Sequence, residues 1–232
     1  MSISRAPTPR VKAIVLSAFN HCRWFKLCRE YVQALGWKDC FFRPAHDRCY
    51  CRKCYSLPLP DVISAAGEDY VVPRGWAGFG LQVDTTLVDY HNLWEEWIVT
   101  YHGTSTIAAE SILAHRQFLL PGDTLLNGKP LSIRPGHIPG KAHLYTSPSI
   151  LYASLNVYSV RYNFTDSSGK KYEAKIVFQC RQKPKTFCVQ AETVGRGKDP
   201  ICPFISNDKI EYYTVNRSSV VPYRLLVSLK EL

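Results

Sequence analysis

The chain has no apolar run approaching the ~18 residues that cross a bilayer, so a soluble protein with no membrane partner is expected. Acidic residues are missing from the first 29 positions, which carry Arg5, Arg10, Lys12, Arg23, Lys26 and Arg29. That bias occurs in mitochondrial transit peptides and in basic folded termini, of which the second is the preferred reading. There is no internal repeat, and charged residues make up only 21% against 46% hydrophobic, which leaves little room for long disorder. Cysteine is scarce over residues 55–232, where only Cys180, Cys188 and Cys202 occur, whereas six of the nine fall between Cys22 and Cys54. Such crowding excludes the spread framework of a secreted disulfide scaffold and favours metal. An intracellular protein is expected, in the cytoplasm or nucleus, with the mitochondrion open as an alternative.

At 232 residues the chain can bury one principal core plus a small appendage. Its formal charge of +10 points to an anionic ligand, and a dinucleotide or a nucleic acid qualifies equally. Residues 1–60 are rich in Cys, Arg and aromatic side chains, while 61–232 read as short strands and helices between Gly and Pro turns. The boundary falls at Leu57-Pro58-Leu59-Pro60, where closely spaced prolines discourage regular structure.

Strands are expected over Gly75–Val83, where glycines relieve crowding, and over Trp97–Tyr101. Ser105 to His115 reads as a helix capped by Thr104 or Ser105, with Ile107, Ser111 and Ile112 on one side. Tyr172, Ala174, Ile176 and Phe178 alternate with Glu173, Lys175, Val177 and Gln179, so one face of that strand should be core. Ile210–Val215 and Val220–Leu229 form a hairpin-like pair around the turn-forming Asn216-Arg217-Ser218-Ser219. The whole is expected to be α+β, dominated by antiparallel β-structure.

In the Cys-rich segment, soft thiolates and an imidazole packed closely suit tetrahedral Zn2+, a structural metal for a segment too small for its own core. His46, Cys49, Cys51 and Cys54 are the favoured ligands, with Cys40 as the alternative. The remaining cysteines of 61–232 are expected to be small buried hydrophobes.

Three segments in order carry a resemblance: Tyr101-His102-Gly103-Thr104, then Leu144-Tyr145-Thr146-Ser147-Pro148-Ser149-Ile150-Leu151-Tyr152, then Ile210-Glu211-Tyr212-Tyr213. With the final Tyr223-Arg224-Leu225-Leu226, they resemble the catalytic segments of poly(ADP-ribose)-polymerase-like transferases. The resemblance covers about residues 95–232. It implies the β-rich fold of that family, preceded here by the zinc-stapled segment, and NAD+ as substrate. Gly103 and Ser149 would hold the nicotinamide carboxamide, Tyr145 and Tyr152 would sandwich the ring, Thr104 would lie beside them, and His102 would bind a ribose hydroxyl. Glu211 would be the catalytic carboxylate, acting with His102 and Tyr145. Tyr158 lies outside these motifs and is expected to matter less to NAD+ than Tyr145.

The residue types suit that chemistry in their own right. Cleavage between ribose and nicotinamide develops positive charge that a carboxylate stabilises, and a flat cationic ring gains area and attraction from tyrosine faces. The Cys-rich segment followed by Pro73-Arg74-Gly75-Trp76-Ala77-Gly78-Phe79-Gly80-Leu81 further resembles the C-terminal region of neuralized-like proteins. Residues 60–95 are too few and too strand-like for the helical regulatory domain of the large nuclear polymerases. Autoinhibition by such a domain is therefore not expected. Mono-ADP-ribosylation of a protein acceptor is the preferred activity, although Glu211 alone does not decide between one ADP-ribose and a chain. The alternatives are ADP-ribosylation of nucleic acid, for which Arg48, Arg52 and Lys53 supply phosphate-binding charge, and an inactive module that only binds NAD+ or ADP-ribose.

Overall fold

A computed structural model of the chain describes residues 22–132 and 140–232, so most of the acid-free terminus, and the transit-peptide reading with it, lies outside the described residues. The alternating stretch of the second half builds the centre of the fold. β8 (Lys171–Gln182) and β11 (Val220–Glu231) pair along almost their full length. β4 (Ala77–Gly80) lies on the far side of β11 and β5 (Ile98–Gly103) on the far side of β8. β1 (Arg48–Cys49) extends the sheet beyond β4, and β7 (Tyr162–Thr165) pairs with one end of β8. Every pairing in this six-stranded sheet is antiparallel. Its register shifts between Pro222 and Arg224, where proline has no N–H to give the ladder.

A second sheet has the order β6 (Leu144–Thr146), β10 (Glu211–Thr214), β9 (Cys188–Gln190). It is tied to the first where Tyr101 and Ser147 exchange backbone hydrogen bonds of 2.7 and 2.9 Å. The expected hairpin therefore does not form. The turn at Asn216–Ser219 is present, but β10 pairs with β6 and β9 while β11 pairs with β8 and β4, so the chain leaves one sheet for the other. A separate hairpin joins β2 (Val62–Ala65) to β3 (Glu68–Val71).

Both faces of the main sheet are covered. On one, α1 (Arg23–Ala34) buries Phe25, Cys28, Tyr31 and Val32, a stripe at helical spacing, among Phe79, Ile176, Phe178, Leu225 and Val227. The Phe25 and Phe79 rings stack at 4.8 Å. Full burial of each large apolar side chain contributes on the order of 2 kcal/mol, so the described part of the basic segment shares one core with the sheet. On the other face, Val177 and Leu226 pack with Tyr50, Val71, Trp76, Tyr101 and Tyr152. That second cover explains why β8 alternates only at its start and is buried on both sides from Ile176 to Cys180.

The remaining helices are short: α2 (Thr85–His91), α3 (Leu93–Glu96), α4 (Thr106–His115) and α5 (Ile150–Ala153). Ser105 caps α4 as expected, its hydroxyl accepting the Ala108 N–H at 3.1 Å. The inward face is Ala109 and Leu113, however, and Ile107 is exposed. Among the described residues no helix is long and apolar enough to cross a membrane. The architecture is mixed α+β, β-rich and antiparallel.

Candidate functional site

His102 ends β5, Tyr145 centres β6 and Glu211 opens β10, and the junction of the two sheets brings their strands together. The His102 Nδ1–H donates to the Tyr145 carbonyl at 2.8 Å, because a carbonyl can only accept, and the imidazole packs edge-on against Phe118. This fixes ring and tautomer. Tyr145 opposes Tyr213 across the β6–β10 ladder and so shares a strand face with Glu211, two residues back on β10. Burial, followed by the nearby Glu211 charge, raises the Tyr145 phenol above its ordinary value.

Glu211 is only 1% exposed. Tyr152 donates to its Oε2 at 2.7 Å, and Tyr158 reaches the same oxygen at 3.0 Å. Gln190 Nε2 donates to Oε1 at 2.6 Å, and the Thr193 hydroxyl spans both oxygens at 3.0 and 3.1 Å. The Thr193 N–H in turn donates to the Tyr152 hydroxyl at 3.1 Å. Burial pushes the Tyr152 phenol up to about 12, its bond to Glu211 adding to the rise, and burial raises Tyr158 further still. Both phenols thus stay protonated and able to donate. Every donor at Glu211 is neutral, and among the described residues no Lys, Arg or His forms an ion pair with it. A buried carboxylate held by dipoles alone is organised to stabilise positive charge supplied from outside.

Other expected residues take mixed places. A Cβ on Gly103 would lie 2.0 Å from the Ala153 carbonyl and 2.8 Å from Tyr158 Cβ, so the chain itself demands glycine there. Ser149 is fully buried, and its Oγ has no hydrogen-bond partner among the described residues. Thr104 is buried and directs its hydroxyl to the Ser105 carbonyl. Tyr152 is buried with its ring 5.2 Å from that of Tyr158 and its hydroxyl on Glu211, so it acts here as a donor to the carboxylate. Tyr158, Gln190 and Thr193 were not expected at this site. Only Tyr158 carried any signal, as a second tyrosine six residues after Tyr152.

The second site is a cluster of four thiols, Cys22, Cys49, Cys51 and Cys54, with all sulfurs within 4.8 Å of one another. Cys22 Sγ lies 3.7 Å from that of Cys49 and 3.5 Å from that of Cys51. Four sulfurs at about 2.3 Å from a tetrahedral Zn2+ stand about 3.8 Å apart, so these residues could hold a metal ion such as zinc. Burial pushes the Cys51 thiol up, but the N–H groups of Cys54 and Lys53 and the thiols of Cys49 and Cys22 outweigh it and leave it below its ordinary value. Burial dominates at Cys49, which is raised, and at Cys54, pushed up to about 12.

The ligand set expected from sequence is corrected at one place. His46 is outside the cluster, its ring 5.5 Å from that of Trp94, and Cys22 from the start of α1 takes the fourth position. The alternative, Cys40, is exposed and also outside it. Of the later cysteines, Cys180 and Cys202 are buried as expected and Cys188 is exposed.

Comparison of this sequence with protein-family models and with curated proteins finds no match.

Proposed function

We propose that the chain is an NAD+-dependent ADP-ribosyltransferase that releases nicotinamide and transfers a single ADP-ribose to a protein acceptor. The observation that carries this reading is Glu211, a buried carboxylate with neutral donors on both oxygens and no ion pair among the described residues. The positive charge it suits is the oxocarbenium-like ribose of a breaking glycosidic bond. His102, locked by the Tyr145 carbonyl, presents its other ring nitrogen to a ribose hydroxyl, Ser149 supplies the orphaned hydroxyl for the carboxamide, and the half-buried Tyr145 offers a ring face. Thr193 is exposed and its hydroxyl bonds both carboxylate oxygens, so a ligand reaching Glu211 competes with that bond. The metal is Zn2+, bound as thiolates by Cys22, Cys49, Cys51 and Cys54 in a structural role.

A second reading is favoured by the same hydrogen bonds. A carboxylate this completely satisfied also serves as a structural strut, in which case the chain is an inactive module that binds NAD+ or ADP-ribose. Nicotinamide release from NAD+ separates the two. Release by the wild-type chain that falls on the order of 10²-fold in Glu211→Gln supports the transferase. NAD+ binding without any release supports the module.

A further inference from the structure

Away from Glu211, the register of the main sheet sets Gly80, Arg224, Gln179 and Tyr101 side by side across four strands. Arg181 lies two residues from Gln179 on the same face of β8, and Arg48 opposes Gly78 at the sheet's edge. The glycines that stood out in the sequence have their use here. A Cβ on Gly78 would lie 2.3 Å from Arg224 Cδ, so glycine is what lets the arginine stem cross the sheet. A Cβ on Gly80 would meet the Arg43 carbonyl and His46 Cβ, so glycine admits the loop that forms the adjoining wall.

Three guanidiniums gather around tyrosines in this crevice. Arg181 and Arg224 lie 5.7 and 5.0 Å from the centre of the Tyr223 ring, Arg181 also lies 5.5 Å from that of Trp94, and Arg48 lies 5.7 Å from that of Tyr50. Among the described residues none of the three forms an ion pair. The carboxylate that feels Arg224, Asp47, is already held by the Gly80 N–H at 2.8 Å and by Arg29.

Their hydrogen bonds are incomplete. Arg224 donates from Nε to the His46 carbonyl and from Nη1 to Tyr50 Oη and Gln179 Oε1, and Arg181 donates from Nη1 to the Trp97 carbonyl. Neither Nη2 has a partner among the described residues, and Arg181 Nε and Gln179 Nε2 are buried without one. Arg181, Arg224, Tyr70 and Trp94 are all half-buried, so part of each faces solvent. Burial raises the Tyr70 phenol, and the charges of Arg181, Arg224 and Arg48 each act against that rise.

We infer that this crevice binds a phosphate-class oxyanion through Arg48, Arg181 and Arg224. Guanidinium forks match the oxygens of phosphate and remain charged at any physiological pH. The Gln179 Nε2 amide, buried without a partner among the described residues, adds a neutral donor beside them. The site is independent of the transferase reading: Arg224 stands two strands and two residues from Gly103, roughly 12 Å at ordinary sheet spacings.

The test is titration calorimetry of the full chain with pyrophosphate, inorganic phosphate and AMP at low salt. The expected result is saturable binding of pyrophosphate that weakens at least ~10-fold in Arg181→Met and in the surface variant Arg48→Gln. Affinity should fall as salt is raised. AMP stronger than phosphate assigns a nucleotide as carrier, and AMP equal to phosphate assigns a bare oxyanion. Glu211→Gln and His102→Ala should bind pyrophosphate like the wild type, so loss of transferase activity leaves this site intact. Absence of saturable binding up to about 10 mM, or wild-type affinity in both arginine variants, overturns the proposal.

Discussion

The molecule holds two polar sites of opposite sign, neither closed by an ion pair among the described residues, and they are finished to different degrees. Around Glu211 each carboxylate oxygen receives at least two neutral donors from Tyr152, Tyr158, Gln190 and Thr193. Around Arg48, Arg181 and Arg224 the acceptors are fewer than the donors, and buried N–H groups go unmatched. A saturated anion is stable without a ligand and ready for charge that appears only during a reaction. An unsaturated cation cluster gains most from a resting ligand. The first arrangement suits catalysis and the second suits binding.

The largest expected effect breaks the arginine side alone. Cys49 adjoins Arg48 on β1, and Cys22 starts the helix beneath it, so the thiol cluster anchors one wall of the crevice. Chelation, or Cys51→Ser, is expected to release one metal equivalent, lower the melting temperature and abolish pyrophosphate binding, because structural zinc supplies folding free energy directly. Elemental analysis after gel filtration checks it, and His46→Ala should keep its metal. A fully folded, metal-free preparation from metal-replete medium removes the assignment.

Glu211→Gln tests the other side. It keeps shape but removes the charge and turns one acceptor oxygen into an amide donor, so nicotinamide release should fall on the order of 10²-fold while NAD+ affinity changes far less. His102→Ala should damage affinity and turnover together if, as proposed, His102 positions the ribose in both ground and transition states. Equal losses of affinity in the two variants, measured by calorimetry beside turnover, would show that Glu211 only helps to hold the dinucleotide.

The glycines give a smaller contrast. Gly103→Ala drives a Cβ into the Ala153 carbonyl, rigid backbone that cannot step aside, and is expected to cost about 3 kcal/mol. Gly78→Ala meets the flexible Arg224 stem and should cost less in stability while weakening pyrophosphate binding. Denaturant midpoints together with titration of both variants check the ordering.

What could be read from the sequence was whatever repeats over a few residues. The alternation that begins at Tyr172, the strand expected over Trp97–Tyr101 and the Ser105 cap are local patterns; the structure has the cap, runs that strand from Ile98 to Gly103, and keeps the alternation only as far as Lys175. Long-range partners left no such trace. Cys22 lies 27 residues before Cys49 and reaches it only because α1 docks on the sheet, so the nearer His46 looked the better ligand. Ile210–Val215 and Val220–Leu229 look like a hairpin because strand pairing is decided by sheets formed elsewhere. Ile107 is apolar yet exposed, since helical spacing gives a face but not its direction. The arginine cluster was least legible: Arg48 carried a phosphate-binding reading and Arg224 lay in the motif Tyr223-Arg224-Leu225-Leu226, but a register shift at Pro222 and two space-making glycines are what bring them together with Arg181.

The finest test compares the cost of deleting a donor at each site. Tyr152→Phe removes the 2.7 Å bond to Glu211 and also strands the Thr193 N–H, which used that hydroxyl as its acceptor. A buried charge short of a donor and an orphaned amide together should cost about 2 kcal/mol. Arg181→Met keeps an apolar stem against Trp94 and Tyr223, loses the bond to the Trp97 carbonyl, and also removes a buried Nε that has no partner and a charge facing two others. These changes oppose one another, so its stability should stay within about 1 kcal/mol of wild type. Urea denaturation of both variants without added phosphate measures the difference. If Arg181→Met proves the costlier, the guanidinium is a structural brace whose bonds outweigh its unmet donors, and the contrast between a finished anion site and an unfinished cation site fails.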